Sequence, residues 1–193
     1  MSINLLKVIQ ENLGFPPLQK IDPNTQLETA ETDNVAENKF SQAAIPAVLA
    51  GLYRYAQTDE GAAEVLNIKS SDNWIAKIFD DNRKEAVEKI AVYAQQSNED
   101  PVVKMNAIAN EAVKVAKENL PANAGIKELK DFFSGQVNNI LPYLPVELHM
   151  GELLHDNTLD DNTNKMEGPI SSLIKNIGAA FSSPVTGEEL KEK

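Results

Sequence analysis

The most apolar stretch of this chain constrains its fold more than any other feature. Residues 40–66 carry no charged side chain before Arg54, and their sequence is FSQAAIPAVLAGLYRYAQTDEGAAEVL. Several of their apolar residues recur at intervals of three and four, the period of one helical face; they are Ile45, Val48, Leu49, Leu52, Tyr53 and Ala56. Because the opposite face carries Ala, Gly and Gln instead of charges, we predict a helix at the centre of a bundle, with neighbours on several sides.

Three residues in this stretch affect where its helices begin, bend or pack. Pro46 lacks a backbone N–H and its ring clashes with the preceding turn, so the helix either begins close to Pro46 or bends there. Gly51 would allow another backbone to come close. Thr58 offers a hydroxyl that can cap a second helix, with Asp59 and Glu60 in the first turn, where the helix dipole favours acidic side chains. We therefore predict two helices joined at a tight corner.

The same residues resemble a known pattern. The run AIPAVLAGLYRYAQTDEGAAEVL is similar to that of the bacterial YidB-like family, in which a Leu-Pro-rich helix with a stripe of small residues leads into a Thr-x-Glu-Gly-Ala corner. The matching positions are Ile45, Pro46, Leu49, Gly51, Leu52, Thr58, Glu60, Gly61, Ala62 and Ala63, with a weaker echo in ILPYLP at 140–145. The resemblance implies an all-helical bacterial cytoplasmic protein of unassigned activity, and it supplies no catalytic residues.

Composition and periodicity predict an all-α fold. The chain is 42% hydrophobic but only 6% aromatic, so its core is aliphatic and rich in alanine, which favours helices. No alternation of apolar and polar residues lasts long enough for a strand. We expect a single-domain helical bundle of about seven to nine helices without a sheet.

The domain limits follow from local composition. We assign residues 1–182 to one helical domain, in which the polar residues 19–38 form an exposed loop. Residues 156–168 are predicted to form an acidic loop, residues 169–182 a terminal amphipathic helix, and residues 183–193 a flexible tail. We expect the terminal helix to pack on the protein's own core, with docking on a partner as the alternative.

Charge and residue types exclude several kinds of partner and site. With 29 acidic against 18 basic side chains the net charge is -11, which repels nucleic acid and anionic membrane surfaces. The absence of cysteine removes disulfides and thiolate metal sites and agrees with a cytoplasmic location. The first residues do not resemble a signal peptide, and no apolar run is long enough to predict a membrane span.

Two histidines and a glutamate form the first candidate metal site. His149, Glu152 and His155 are spaced by three residues, so a helix would place them on neighbouring turns, where they could converge on one divalent ion. The alternative is a pair of exposed or capping histidines near the end of a helix. Gly151, inside the motif, argues against the helix that this site requires.

The following residues resemble an EF-hand calcium loop. Counted from Asp156, oxygen-bearing side chains occupy the usual ligand positions; they are Asp156, Thr158, Asp160, Asn162, Asn164 and Glu167. Asp161, however, stands where the loop usually needs glycine for a sharp turn. Asp and Asn are also common in ordinary solvated loops, which is the alternative interpretation.

No segment carries a catalytic signature. The sequence has neither a Gly-x-Ser-x-Gly motif nor a phosphate-cradling glycine motif, and adjacent carboxylates such as Asp80-Asp81 are typical of solvated loops. We therefore expect a non-enzymatic protein without a cofactor that binds another protein or itself. The alternatives are a binder of a small apolar ligand or lipid, in a cavity near Gly51, and a divalent-metal (calcium) binding protein.

Overall fold

The longest helix contains the predicted hub. In the computed structural model, helix α2 spans Val35–Ala56, and every residue from Phe40 to Leu52 is buried. α2 therefore begins well before Pro46 and continues through it, which excludes the first of the two alternatives, a helix that begins near this proline. The prediction of a buried central helix is confirmed.

The structure describes residues 3–21, 35–68, 70, 73–95 and 101–156, all within one compact unit, Met1–Asn162. The other helices are α1 (Leu5–Asn12), α3 (Asp59–Asn67), α4 (Trp74–Phe79), α5 (Arg83–Ala94), α6 (Pro101–Glu118), α7 (Ile126–Ser134), α8 (Val137–Ile140) and α9 (Met150–Leu153). Short 3₁₀ turns cover Asp80–Asn82, Leu141–Tyr143 and Val146–Leu148. The predicted terminal helix and tail, 169–182 and 183–193, lie outside the described residues.

The all-α fold class is confirmed. Over the described ranges the chain has no β-strand, and seven of its helices contain six or more residues. The predicted loop 19–38 differs from the structure at both ends, since α2 already includes residues 35–38 and Ile21 is buried. The Ile21 N–H donates to the carbonyl of Pro142 at 2.9 Å, which holds the end of this segment against the bundle.

Neighbouring helices cover α2 on all sides. It packs against α1 and against each helix from α3 to α8. At Gly51 the close neighbours are side chains, because a Cβ added there would meet Ile78 Cδ1 at 3.2 Å and Phe79 Cζ at 3.4 Å. The atoms closest to Gly51 therefore belong to side chains and not, as the sequence suggested, to another backbone. The cavity for an apolar ligand near Gly51 stays a prediction.

Buried amides connect distant parts of the bundle. Gln42, only 3% exposed, accepts a hydrogen bond from the Gln19 N–H at 2.8 Å and donates to the carbonyls of Gln19 and Tyr143. One polar side chain at the centre of α2 thereby satisfies three backbone groups from two other segments. Without such partners each of these backbone groups would cost free energy on burial.

Two further buried amides act on helix N-termini, whose first N–H groups have no partner inside the helix. The side-chain oxygen of Gln136 accepts from the N–H of Leu5, the first residue of α1, at 2.9 Å. That of Asn106 accepts from the N–H of Ile75 in α4 at 3.1 Å, whereas Asn73, the residue preceding α4, makes no side-chain capping bond. α1 also has a local cap, because the Asn4 side-chain oxygen accepts from the Lys7 N–H at 3.1 Å. A residue remote in sequence therefore completes the cap of α1 and supplies that of α4.

The corner between α2 and α3 depends on Thr58 and Gly61. Thr58 Oγ1 accepts a hydrogen bond from the Gly61 N–H at 3.0 Å, which confirms the predicted cap. A Cβ added to Gly61 would lie 2.2 Å from the carbonyl oxygen of Tyr55 and 2.8 Å from Thr58 Oγ1. Only glycine therefore allows α3 to turn this closely against the end of α2.

We predict that Gly61→Ala lowers the free energy of unfolding by about 3 kcal/mol, because the added methyl group must displace backbone atoms. In a chain of this size that loss corresponds to a fall in melting temperature of about 6–12 °C. The matched control is Gly135→Ala, since φ at Gly135 is -66° and an added Cβ would come no closer than 3.4 Å to its neighbours. Thermal and urea denaturation followed by circular dichroism measure both, and equal effects would contradict the steric account of the corner.

Candidate functional site

A charged cleft opens where α2 ends. Its volume is about 500 Å³, and it is lined by Arg54, Tyr55, Thr58, residues 78–82 and residues 153–155. Its lining combines apolar side chains, among them Phe79 and Leu153, with the ionisable side chains of Asp80, Asp81, Arg54 and His155. We call it the charged cleft.

Asp80 has an unusual backbone. Its φ of 43° and ψ of -121° lie outside the regions that residues other than glycine normally occupy, at a cost of about 1–3 kcal/mol. The lining of the cleft therefore combines a strained backbone position with several charged side chains.

An apolar groove lies at the other end of α5. Its volume is about 300 Å³, and its lining consists of Glu88, Lys89, Val92, Tyr93, Glu147 and Leu148. Val92 is 72% exposed, while Leu148 is buried at the base. Glu88 and Glu147 are exposed to solvent, and Lys89 is paired with Glu85 at 3.1 Å. We call it the apolar groove.

Both concavities lie along one contact between α5 and residues 146–156. At the start of α5, the Asn82 side-chain amide donates to the carbonyl of Leu153 at 2.8 Å. At its other end, Val92 and Tyr93 share the groove with Leu148. Residues 146–156 therefore run antiparallel to α5, with the charged cleft at one end of the contact and the apolar groove at the other.

The candidate metal residues His149, Glu152 and His155 do not share a helix. α9 covers only Met150–Leu153, and both histidines have left-handed backbones, with φ of 47° and 53°. The spacing of three residues therefore does not align the three side chains on successive turns. Within the described part of the chain, no group of three His, Asp or Glu side chains could hold a metal ion.

The calcium loop falls largely outside the described residues. Of its six candidate ligands only Asp156 is described, and its N–H donates to the carbonyl of Gly151 at 2.7 Å. Burial raises the pKa of Tyr53, and the neighbouring Asp156 carboxylate raises it further. Thr158, Asp160, Asn162, Asn164 and Glu167 are not described, so the calcium site stays a prediction.

A cluster of three polar side chains supports one wall of the charged cleft. The Tyr55 hydroxyl and the Lys77 ammonium group both donate to the Glu64 carboxylate, which joins α2, α3 and α4. The ring of Trp74 meets that of Tyr55 edge to face at 6.5 Å. The hydrogen bond from Lys77, followed by that from Tyr55, lowers the pKa of Glu64, whereas burial and the bond to Glu64 raise the pKa of Tyr55.

Of the candidate site residues predicted from the sequence, only His155 lines the charged cleft, and none lines the apolar groove. Val92 follows Ile90 by two residues and so projects almost opposite the buried stripe Ala86, Ile90 and Ala94. An apolar residue on the polar face of a predicted helix was the available signal. Asp80 offered no such signal, because an Asp-Asp-Asn run is equally typical of a solvated turn.

Comparison with protein-family models, with curated proteins and with solved structures gives no match for this chain. The resemblance to the YidB-like family therefore stays a prediction. Among the helices that the structure describes, none is long and apolar enough to cross a bilayer.

We predict that Glu64→Gln destabilises the protein by about 1 kcal/mol at pH 7, because the neutral amide cannot replace the charge-assisted hydrogen bonds of the carboxylate. The loss is no larger because Glu64 is partly exposed to solvent, which weakens these interactions. The folded-state pKa of Glu64 is lowered, so this contribution is complete above the ordinary carboxyl pKa of about 4.3 and is lost as pH falls through the lowered value. Urea denaturation should therefore show a difference from wild type at pH 7 that shrinks toward pH 3. The exposed Glu88 provides the control, since Glu88→Gln should change little at either pH, and a gap for Glu64→Gln that is constant with pH would contradict the assignment.

Proposed function

We propose that this protein is non-enzymatic and acts by binding another protein, or a second copy of itself, through the apolar groove. The exposure of Val92 carries the proposal, because an apolar side chain that is 72% exposed lies in a concave site with almost entirely apolar walls. Isolated exposed valines are common on protein surfaces, whereas an apolar concavity with a charged rim is typical of an interaction site.

The composition of the groove supports a protein as its ligand. Tyr93 contributes an aromatic ring and Leu148 a buried base, and both suit an apolar side chain inserted by a partner. The exposed carboxylates of Glu88 and Glu147 flank this centre as a polar rim. A complementary surface would carry an apolar anchor with neutral or basic neighbours, because further acidic groups would be repelled.

A small apolar ligand is the second candidate. The groove volume of about 300 Å³ lies at the lower end of the range for small-molecule sites, and its lining is chiefly apolar. Native mass spectrometry of protein purified from cells would separate the candidates, because it detects a retained lipid, a bound metal or a defined oligomer. Increased thermal stability with a fatty acid would favour the small ligand, and increased stability with calcium would favour the predicted loop at 156–168.

The biological setting is proposed from the resemblance alone. The similarity of residues 44–66 to the YidB-like family supports a bacterial protein of the cytoplasm. It does not extend to a partner or a reaction, so the groove remains the basis of the functional proposal.

We predict that Val92→Asp abolishes the interaction while leaving the fold intact, because it places a charge in the apolar centre of the groove. Val103→Asp is the matched control, since Val103 is 64% exposed and lies on α6, outside the groove. Sedimentation velocity would measure self-association of the three proteins, and capture from cells of the source organism would compare the partners they retain. Loss with Val92→Asp alone supports the groove, whereas retention by Val92→Asp, or equal loss with both variants, contradicts it.

A further inference from the structure

The charged cleft combines buried apolar side chains with charged ones that water reaches. Its large apolar side chains have exposed fractions of only 3% to 6%; they are Ile78, Phe79, Leu153 and Leu154. By contrast, Asp80, Asp81 and His155 are exposed, and Arg54 is half-buried. The cleft volume of about 500 Å³ lies within the range of small-molecule sites, about 300–1,000 Å³. A ligand of that size would meet apolar side chains and charges of both signs.

The strained backbone of Asp80 is held on both sides. Its N–H donates to the carbonyl of Ala76, and its carbonyl accepts from the N–H of Arg83. The φ of 43° and ψ of -121° match the first central position of a type II′ turn, which glycine usually occupies. The chain carries an aspartate there instead. Strained residues of this kind cluster at ligand sites, where the surrounding structure holds a side chain in a required place.

A second residue of the cleft also has a left-handed backbone. Of the four non-glycine residues with positive φ in the part of the chain that the structure describes, two line this cleft, Asp80 and His155. The hydrogen bond of 2.8 Å from the Asn82 amide to the carbonyl of Leu153 ties together the two segments that carry them. The unusual backbone positions are therefore concentrated at one concavity.

We propose that the charged cleft binds a small zwitterion with an apolar body, the class that includes the apolar amino acids. Asp80 and Asp81 supply carboxylates for the ammonium group of such a ligand, and Arg54 supplies a guanidinium group for its carboxylate. The buried apolar side chains, Phe79 and Leu153 among them, accept the apolar body.

The mixture of charges favours a zwitterion over a simple ion. A purely cationic ligand would be repelled by Arg54, and a purely anionic ligand would be repelled by Asp80 and Asp81. Displacing water from either kind of side chain costs free energy unless the ligand offers the opposite charge. The cleft shares no lining residue with the apolar groove, so binding here is independent of the proposed function.

Calorimetric titration of the full chain with free amino acids tests the site. The probes are leucine, isoleucine, valine, methionine and phenylalanine, and we expect at least one to bind with a Kd on the order of 100 μM. The amide of that amino acid lacks the carboxylate, and its N-acetyl derivative lacks the ammonium group, so each should bind about tenfold more weakly. Binding by none of the five, or equal binding of the amino acid and either derivative, would overturn the proposal.

Two substitutions of nearly constant size assign the charges. Asp81→Asn should weaken the binding of the amino acid and of its amide about tenfold, without weakening that of the N-acetyl derivative. Arg54→Gln should weaken the binding of the amino acid and of its N-acetyl derivative, without weakening that of the amide. An equal loss for all three compounds in both variants would contradict recognition of the two charges in this cleft.

Asp80→Gly separates the role of the side chain from that of the backbone. Relief of the strain should raise the melting temperature by about 3 °C, whereas loss of the carboxylate should weaken binding about tenfold. Gln95→Gly is the matched control, because Gln95 has a φ of 53° and lies outside the cleft, and it should leave binding unchanged. Unchanged affinity in Asp80→Gly, or equal losses in both variants, would overturn the cleft as the site.

Discussion

An uncharged helix surface that cannot remain in water determines the arrangement of this bundle. Every residue of α2 from Phe40 to Leu52 is buried, so the helix needs apolar neighbours around its whole circumference. Alanine and glycine let those neighbours approach closely, and at Gly51 the side chains of Ile78 and Phe79 occupy the space. The two concavities therefore lie beyond the enclosed part of α2, one at its end and one beside α5.

The contact between α5 and residues 146–156 creates both concavities. Short turns, rather than a long helix, form one side of it, and the hydrogen bond from Asn82 to Leu153 fixes the register. The irregular segment leaves concavities at both ends of α5, because it does not follow the helix as closely as a second helix would. The charged cleft and the apolar groove thus result from the same packing arrangement, although their linings differ in chemistry.

Local patterns predicted the parts of the fold that depend on nearby residues. The stripe through Leu49 predicted the buried helix, and Thr58 with Asp59 and Glu60 predicted the corner, because caps and helical faces are encoded within a few residues. The left-handed backbone of His149 removed the helix on which the predicted metal site depended. Nor could spacing predict the remote caps, since Gln136 and Asn106 act on helices far away in the sequence. For the groove, the sequence showed an apolar residue on a polar face but not the loop that packs beside it.

Remote capping makes the short helices dependent on the completed fold. α1 and α4 contain eight and six residues, too few to persist alone in water. Their N-terminal amides of Leu5 and Ile75 are satisfied by residues 131 and 31 positions away, so neither helix can form with its donors paired until α6 and the segment after α7 are in place. These two amide hydrogens should exchange with solvent only through openings that separate the helices, and their exchange rates would report the cooperativity of the whole assembly.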